Sequence, residues 1–336
     1  MNKYKIIYII APYNKSTGGI ELSHQLIDYL RNNNLDAYVL YIDKGKFVDT
    51  HEVTDSYKKY NIAVCSTIED NRENLLVLPE IFFDLIYDYH EIQIACWWMS
   101  VDNRYYSASL WGGIGFQKGL YNKFHFFVRS FFRDFKNSDA LLKKNDYRII
   151  HFYQSRYAQH RLYSQGFTRV LPLSDYINTE LTGDYNKEKK EDILIYNPAK
   201  GLKFTKLILK RLPSKYKAIA LKGFNRSELK DIMSKAKLYI DFGSFPGKDR
   251  LPREAILNGC CIITGKNGAS FFYEDVAIDP KYKFDAKRSN LSKIVAKIDE
   301  VMSNYKSHID DFDFYKKRIL EEEKIFYSEI DDIFML

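Results

Sequence analysis

The run Lys5-Ile6-Ile7-Tyr8-Ile9-Ile10, a turn over 12–19, and then Ile20, Leu22, Ser23, Leu26, Ile27 and Leu30 decide the fold class. A continuous β-branched run is the pattern of a strand covered on both faces, as in a parallel sheet. After the turn the apolar positions recur at helical spacing until Asn32-Asn33-Asn34 ends the helix, and 37–42 reads as a second strand. Strand, loop, helix, strand is a βαβ unit, with 62–65, 74–79 and 91–98 as further strand candidates. The first half is therefore α/β.

Working outward, the same grammar restarts at Asp192-Ile193-Leu194-Ile195-Tyr196. A turn over 197–201 leads to a helix over 204–212, a strand over 216–221, a helix over 227–236 and a strand over 238–242. A Gly/Pro loop then enters a helix over 252–258, and 260–264 is another buried strand. The polar stretch 178–191, with Gly183 and the charged run 187–191, separates the halves. The expected organisation is a domain over 1–178, a second over 190–310, and a C-terminal helix over 311–336 that packs back toward the first.

A length of 336 residues suits two cores. With 46% hydrophobic and 28% charged residues the composition is that of a packed globular protein, which excludes disordered and collagen-like classes. Four cysteines, of which Cys260 and Cys261 are adjacent, show neither zinc-ligand spacing nor a disulfide framework, so a reduced, cytoplasmic setting is expected. No uninterrupted apolar run reaches about 18 residues, so any membrane contact is expected to be peripheral. The net charge of +7 is local: 118–161 holds ten Lys/Arg against three acids. There Phe124, Phe127, Val128, Phe131, Phe132 and Phe135 draw one apolar stripe at helical spacing. A basic helix with such a face either lies on an anionic membrane surface or packs on its own domain. No nucleic-acid motif accompanies the charge, and no nucleic-acid partner is expected.

Three junctions carry chemistry. Thr17-Gly18-Gly19-Ile20-Glu21 puts two glycines at a helix N-terminus, where free amides favour phosphate; the alternative is a tight turn with Thr17 as N-cap. No G-x-G-x-x-G and no Walker A sequence is present, which disfavours nicotinamide, flavin and P-loop enzymes. Asn197-Pro198-Ala199-Lys200-Gly201-Leu202-Lys203 places lysines on the equivalent turn of the second half, either facing a diphosphate or solvated. In the run from Asp241 to Ala255, Lys248, Arg250 and Arg253 gather positive charge beside a helix whose first position reads as Pro252, which suits an anionic ligand. Glu254 in its first turn either accepts from a ligand's hydroxyl pair or caps the helix. No metal constellation is visible, the seven histidines are dispersed, and His24 reads as a surface or packed histidine.

These three junctions, Gly18-Gly19-x-Glu21, Lys200-Gly201 and Pro252-x-Glu254-Ala255-(x)3-Gly259-Cys260, in this order over 4–280, resemble those of the GT-B glycosyltransferases, and more narrowly the bacterial family-four-like retaining enzymes of surface polysaccharide synthesis. The resemblance implies two Rossmann-like domains with parallel sheets facing an interdomain cleft. It implies a hexosyltransferase-like, metal-independent enzyme without cofactor that moves a sugar from a nucleotide-sugar donor to a hydroxyl of a glycan or a polyprenyl-diphosphate-linked glycan. By the same resemblance Gly18 and Gly19 lie near donor diphosphate or acceptor, Lys200 binds the diphosphate and Glu254 the ribose. Two family positions differ: an arginine is replaced by Ile195, and the first glutamate of E-x7-E by Pro246. Lys248, Arg250 or Arg253 are the candidates to replace that charge.

The segments from Trp97 to Asn103 and from His151 to Ala158 resemble a subgroup found in O-antigen and capsule clusters. That implies acceptor contacts at Trp98, Gln154 and Ser155. Asp102 and Asn103 are the catalytic candidates: they bind acceptor hydroxyls, or Asp102 is the base of an inverting variant, its plain alternative being an Asx turn. A catalytically silent glycan-binding or scaffold subunit and a GT-B sugar-nucleotide epimerase remain the alternative functions. The expected location is cytoplasmic, with peripheral contact at the inner face of the membrane through 118–161.

Overall fold

The computed structural model describes residues 3–108, 142–178, 182 and 185–335. The basic aromatic stripe over 124–135 and the linker glycine Gly183 lie outside the described residues. The chain divides into two compact units, Met1–Asp175 with Lys324–Leu336, and Tyr176–Glu323.

The first unit runs β1 (Ile7–Pro12), α1 (Gly18–Asn32), β2 (Ala37–Asp43), β3 (Lys46–Phe47), β4 (Leu75–Pro79), β5 (Gln93–Trp98), α2 (Val101–Ala108), β6 (Ile149–Tyr153), α3 (Arg156–Ser164) and β7 (Val170–Pro172). Its seven strands lie in the order β3-β2-β1-β4-β5-β6-β7, all parallel except the β2–β3 hairpin. Every residue of β4 is buried, which is why its sequence is continuously apolar rather than alternating. The expected strand over 62–65 is a single bridge, Val39 to Val64. Asn61 just before it is drawn away, its amide donating to Asp28 of α1 (2.7 Å).

The second unit runs β8 (Glu191–Tyr196), α4 (Leu202–Leu209), β9 (Lys217–Ala220), α5 (Arg226–Lys235), β10 (Ala236–Asp241), α6 (Arg250–Leu257), β11 (Cys261–Gly265), β12 (Lys283–Phe284), α7 (Leu291–Ser303), α8 (Tyr305–His308) and α9 (Asp313–Phe334), whose end belongs to the first unit. Its sheet is wholly parallel in the order β12-β11-β10-β8-β9. Lys190, in the charged run 187–191, is buried: its ammonium donates to the carbonyls of Met233 (3.0 Å), Ala236 (2.8 Å) and Asn258 (2.6 Å), satisfying chain ends that α5 and α6 leave open.

Each sheet reverses its winding direction once. β1 lies between β2 and β4, and β8 between β9 and β10, so the loops after β1 and β4, and after β8 and β10, part in opposite directions. In open α/β sheets the crevice at such a switch, beyond the carboxyl ends of the strands, is where ligands bind. In the first unit the end of α9 closes the core: Phe326 stacks with Trp97 (6.4 Å), Tyr327 with Tyr29 (4.2 Å), and Glu329 accepts from the Ser174 amide (2.6 Å).

Candidate functional site

In the second unit the switch point gathers the loops after β8 and β10. Gly201 adopts φ +64, and a Cβ there would lie 2.6 Å from the Gly243 nitrogen, so only glycine lets the two loops touch. Lys200 is thereby laid across the β10 loop: a Cβ on Gly243 would meet its Cγ at 2.5 Å. The Lys200 ammonium donates to the Asp249 carboxylate and to the Ser244 carbonyl (2.7 Å), lies 3.6 Å from Asp241 and sits 4.2 Å over the Phe245 ring. Asp241 is almost wholly enclosed and accepts from the Tyr239 hydroxyl (2.8 Å) and the Gly243 amide (2.9 Å). Burial pushes its carboxyl up against the pull of Lys200. Asp249 is pushed up to about 6, first by burial and then by Asp241, with Lys200 opposing.

α6 starts at Arg250, two residues before the expected start, so Pro252 is its third residue. That position costs nothing, because the first four amides of a helix have no intrahelical acceptor. Arg250 Nε lies 3.5 Å from Glu254, which is buried at the first turns of α6. Lys200, Arg250 and Glu254 thus share the switch point. Arg253 does not offer its charge to a ligand: it is fully buried, bonded to Glu322 (2.6 Å) and to the carbonyls of Lys248 (2.9 Å) and Asp249 (3.2 Å). Lys248 is 3.0 Å from the same Glu322. Ile195 is wholly enclosed in β8, and Pro246 lies in the loop before α6.

In the first unit Gly18 and Gly19 open α1 at the end of β1. Thr17 occupies the N-cap position without a side-chain bond, and a Cβ on Gly19 would meet Met99 Sδ at 3.3 Å. Glu80 follows β4 at the same switch and is almost fully enclosed. Its carboxylate accepts from the Met99 amide (3.2 Å). Burial lifts it to about 7, offset in part by amides, those of Met99 and Ser100 among them, and by Arg104. Asp102, in the first turn of α2, accepts from the Tyr157 hydroxyl (2.8 Å), and the Asn103 amide donates to Ser100 O (3.1 Å). The Gln154 amide donates to Trp98 O (3.2 Å) where β5 and β6 end.

One acceptor expectation is corrected by packing. Trp98 is fully enclosed in the core, its indole donating to His151 Nδ1 (3.0 Å), and presents no face to a ligand. The Ser155 hydroxyl serves as the N-cap of α3, accepting from the Ala158 amide (3.1 Å). His24 is packed: Nδ1 donates to Ile20 O (2.7 Å), Nε2 accepts from the Tyr41 hydroxyl (2.8 Å), and the ring stacks on Tyr57 (4.0 Å).

Glu80, Asp241 and Asp249 were given no role in the sequence reading. An acid directly after an apolar run, as Glu80 after β4 or Asp241 after Leu238-Tyr239-Ile240, marks the carboxyl end of a parallel strand and is the signal that finds such groups. Among the described residues no group of three or more His, Cys, Asp or Glu side chains is arranged as metal ligands.

Two Rossmann-like units, each with a parallel sheet and one switch point, give the chain the GT-B fold, as its sequence resemblance implied. Similar solved structures include Anabaena HepE in complex with UDP-glucose (11% identity, 97% of this chain and 98% of that one, TM-score 0.65). The lipopolysaccharide outer core galactosyltransferase WaaB in its apo form is another (10% identity, 97% and 98%, TM-score 0.62). TarM matches at 12% identity and TM-score 0.54 over 79% of this chain, which spans 56% of the TarM chain. No protein-family model and no curated protein matches the sequence.

Proposed function

We propose that the chain is a glycosyltransferase that moves a sugar, in the first instance a hexose, from a nucleoside-diphosphate donor to a hydroxyl of a glycan or lipid-linked glycan in bacterial surface polysaccharide synthesis. The observation that carries this is Lys200 at the switch point of the second sheet, beside the N-terminus of α6 and Glu254. An ammonium and a helix N-terminus together stabilise the charge that develops on a departing diphosphate, so the reaction needs no metal or other cofactor. In this reading Glu254 meets the ribose and Arg250 shares the phosphates. The similar structures support the donor class, HepE being in complex with UDP-glucose and WaaB being a galactosyltransferase.

The acceptor falls to the crest of the first unit, where Gly18 and Gly19, Asp102, Asn103 and Gln154 follow the carboxyl ends of β1, β5 and β6. In transfer the acceptor oxygen bonds to the anomeric carbon, the bond from that carbon to the diphosphate breaks, and the hydroxyl proton leaves. Asp102, held by Tyr157, takes that proton in an inverting reaction. Contact with a membrane through 118–161 belongs to the same reading, since a lipid-linked acceptor is presented there. Among the described residues no helix is long and apolar enough to cross a membrane.

Thermal unfolding with millimolar UDP, GDP, ADP and CMP tests the donor assignment: at least one nucleotide raises the midpoint, and no change with all four overturns it. A catalytically silent binding subunit is the second reading, favoured by Ile195, which commits an expected arginine position to the core. Donor hydrolysis and transfer to a lipid-linked acceptor separate the two.

A further inference from the structure

Lys200 faces two carboxylates, and they differ in what they can give up. Asp241 is fixed by Tyr239 and Gly243 and almost without exposure. Asp249 holds the N-cap position of α6, yet its carboxylate bonds Lys200 and caps no amide of that helix. Its side chain keeps 25% exposure and that of Lys200 19%, so both are reachable from solvent. Two carboxylates lie against the one ammonium they share, so a phosphate that comes to Lys200 meets both of them. A diphosphate could bind Lys200 only against repulsion from both acids, unless one of them loses its charge.

We propose that Asp249 is an internal competitor for Lys200: it holds the ammonium until the diphosphate of a nucleotide sugar arrives, and yields it by taking up one proton from solvent. This rests on the donor reading above and adds a regulation to that site. The groups facing Asp249 are Lys200 from the β8 loop, Asp241 and Tyr239 from β10, and Arg253 from α6, whose Nε binds the Asp249 carbonyl. Arg253 is held in the interior by Glu322, which it shares with Lys248, and meets Asp249 at its carbonyl, whereas Lys200 bonds the carboxylate; Lys200 is thus the cation whose transfer to phosphate exposes Asp249 to Asp241. The carboxyl, raised to about 6 while Lys200 still holds it, then moves further up and protonates at neutral pH. The same contact screens the pocket against weaker anions.

Calorimetric titration of the full chain with UDP-glucose and GDP-mannose, whose phosphodiesters do not titrate near neutrality, tests this at pH 7 to 8.5 in buffers of different ionisation enthalpy. The wild type is expected to take up close to one proton per nucleotide sugar bound, and its affinity to fall about tenfold per pH unit toward the alkaline end of that range. Asp249→Asn is expected to bind more tightly at pH 8, with no proton uptake and a flat pH profile. Binding by the wild type without proton uptake overturns the inference, as does an Asp249→Asn variant that binds no more tightly. The proton count of the wild type decides alone if that variant fails to fold. Absence of binding to either protein overturns the donor reading itself.

Discussion

Arg253 Nη1 lies 2.6 Å from Glu322 Oε2 in the interior of the second unit, and Lys248 holds the other oxygen of that carboxylate at 3.0 Å. One acid on α9 thus fixes both the loop entering α6 and the second residue of that helix's charge cluster. Removing it strands a fully buried guanidinium. Glu322→Ala is expected to lower the unfolding free energy in urea by about 3–5 kcal/mol, whereas the combined Lys248→Met, Arg253→Met, Glu322→Leu change, which removes all three charges, recovers most of the loss.

Gly201 is expected to be as intolerant for a steric reason. Alanine at φ +64 carries the left-handed penalty and drives a Cβ into the Gly243 backbone. Gly201→Ala is expected to cost about 2–4 kcal/mol in the same measurement, and to abolish any nucleotide-induced rise in melting temperature by displacing Lys200.

Lys200→Ala tests binding with a different balance. It leaves Asp241 and Asp249 facing each other without their cation, so the variant is expected to be less stable at pH 8 than at pH 6, and to show no thermal shift with any nucleotide. Glu254→Ala is expected to lose the shift as well. A shift retained in both variants places the donor elsewhere.

Acid stability follows from three buried groups. Burial lowers His24 from 6.5 to about 4, and depresses His151 likewise against the pull of Asp146. Below pH 6.5 the unfolded chain binds protons that the folded imidazoles refuse, so their contribution is full above 6.5 and is lost as pH falls toward 4, by about 1.4 kcal/mol per unit for each ring. Glu80 has the opposite sign. With a folded value of about 7 against 4.5 unfolded, it takes up its proton first in the native state and stabilises it as pH falls from 7 to 4.5. Glu80→Gln is therefore expected to be more stable than the wild type at pH 8 and to lose stability more steeply on acidification. Urea titrations at pH 8, 6.5 and 5 read both effects, and parallel profiles for the two proteins contradict the assignment to Glu80.

The βαβ opening was legible because β1 is apolar throughout and α1 changes period within a few residues. β6 was not read as a strand, since Ile149–Tyr153 carries a histidine at its centre that only the fold shows to be bonded to Trp98. β12, with two residues, is too short to leave a pattern. At the site, the glycines and Lys200 were visible as turn chemistry. The pairing of Lys200 with Asp249, 49 residues apart, depends on β10 lying beside β8, and no local pattern encodes that adjacency. Trp98 and Ser155 stand as acceptor contacts on a resemblance of segments, which carries no information on burial; the fold encloses Trp98 in the core and gives Ser155 a helix cap.

The end of α9 bears on how the protein is made. Phe326, Tyr327 and Phe334 complete a core whose other walls are Trp97, Tyr29, Tyr4 and Phe152, so a ribosome must polymerise the whole second unit before the first can finish folding. During that interval the apolar floor formed by Trp97 and Phe152 stands open on the nascent chain. Synthesis therefore creates a window for chaperone capture, which closes only when residues 324–334 emerge.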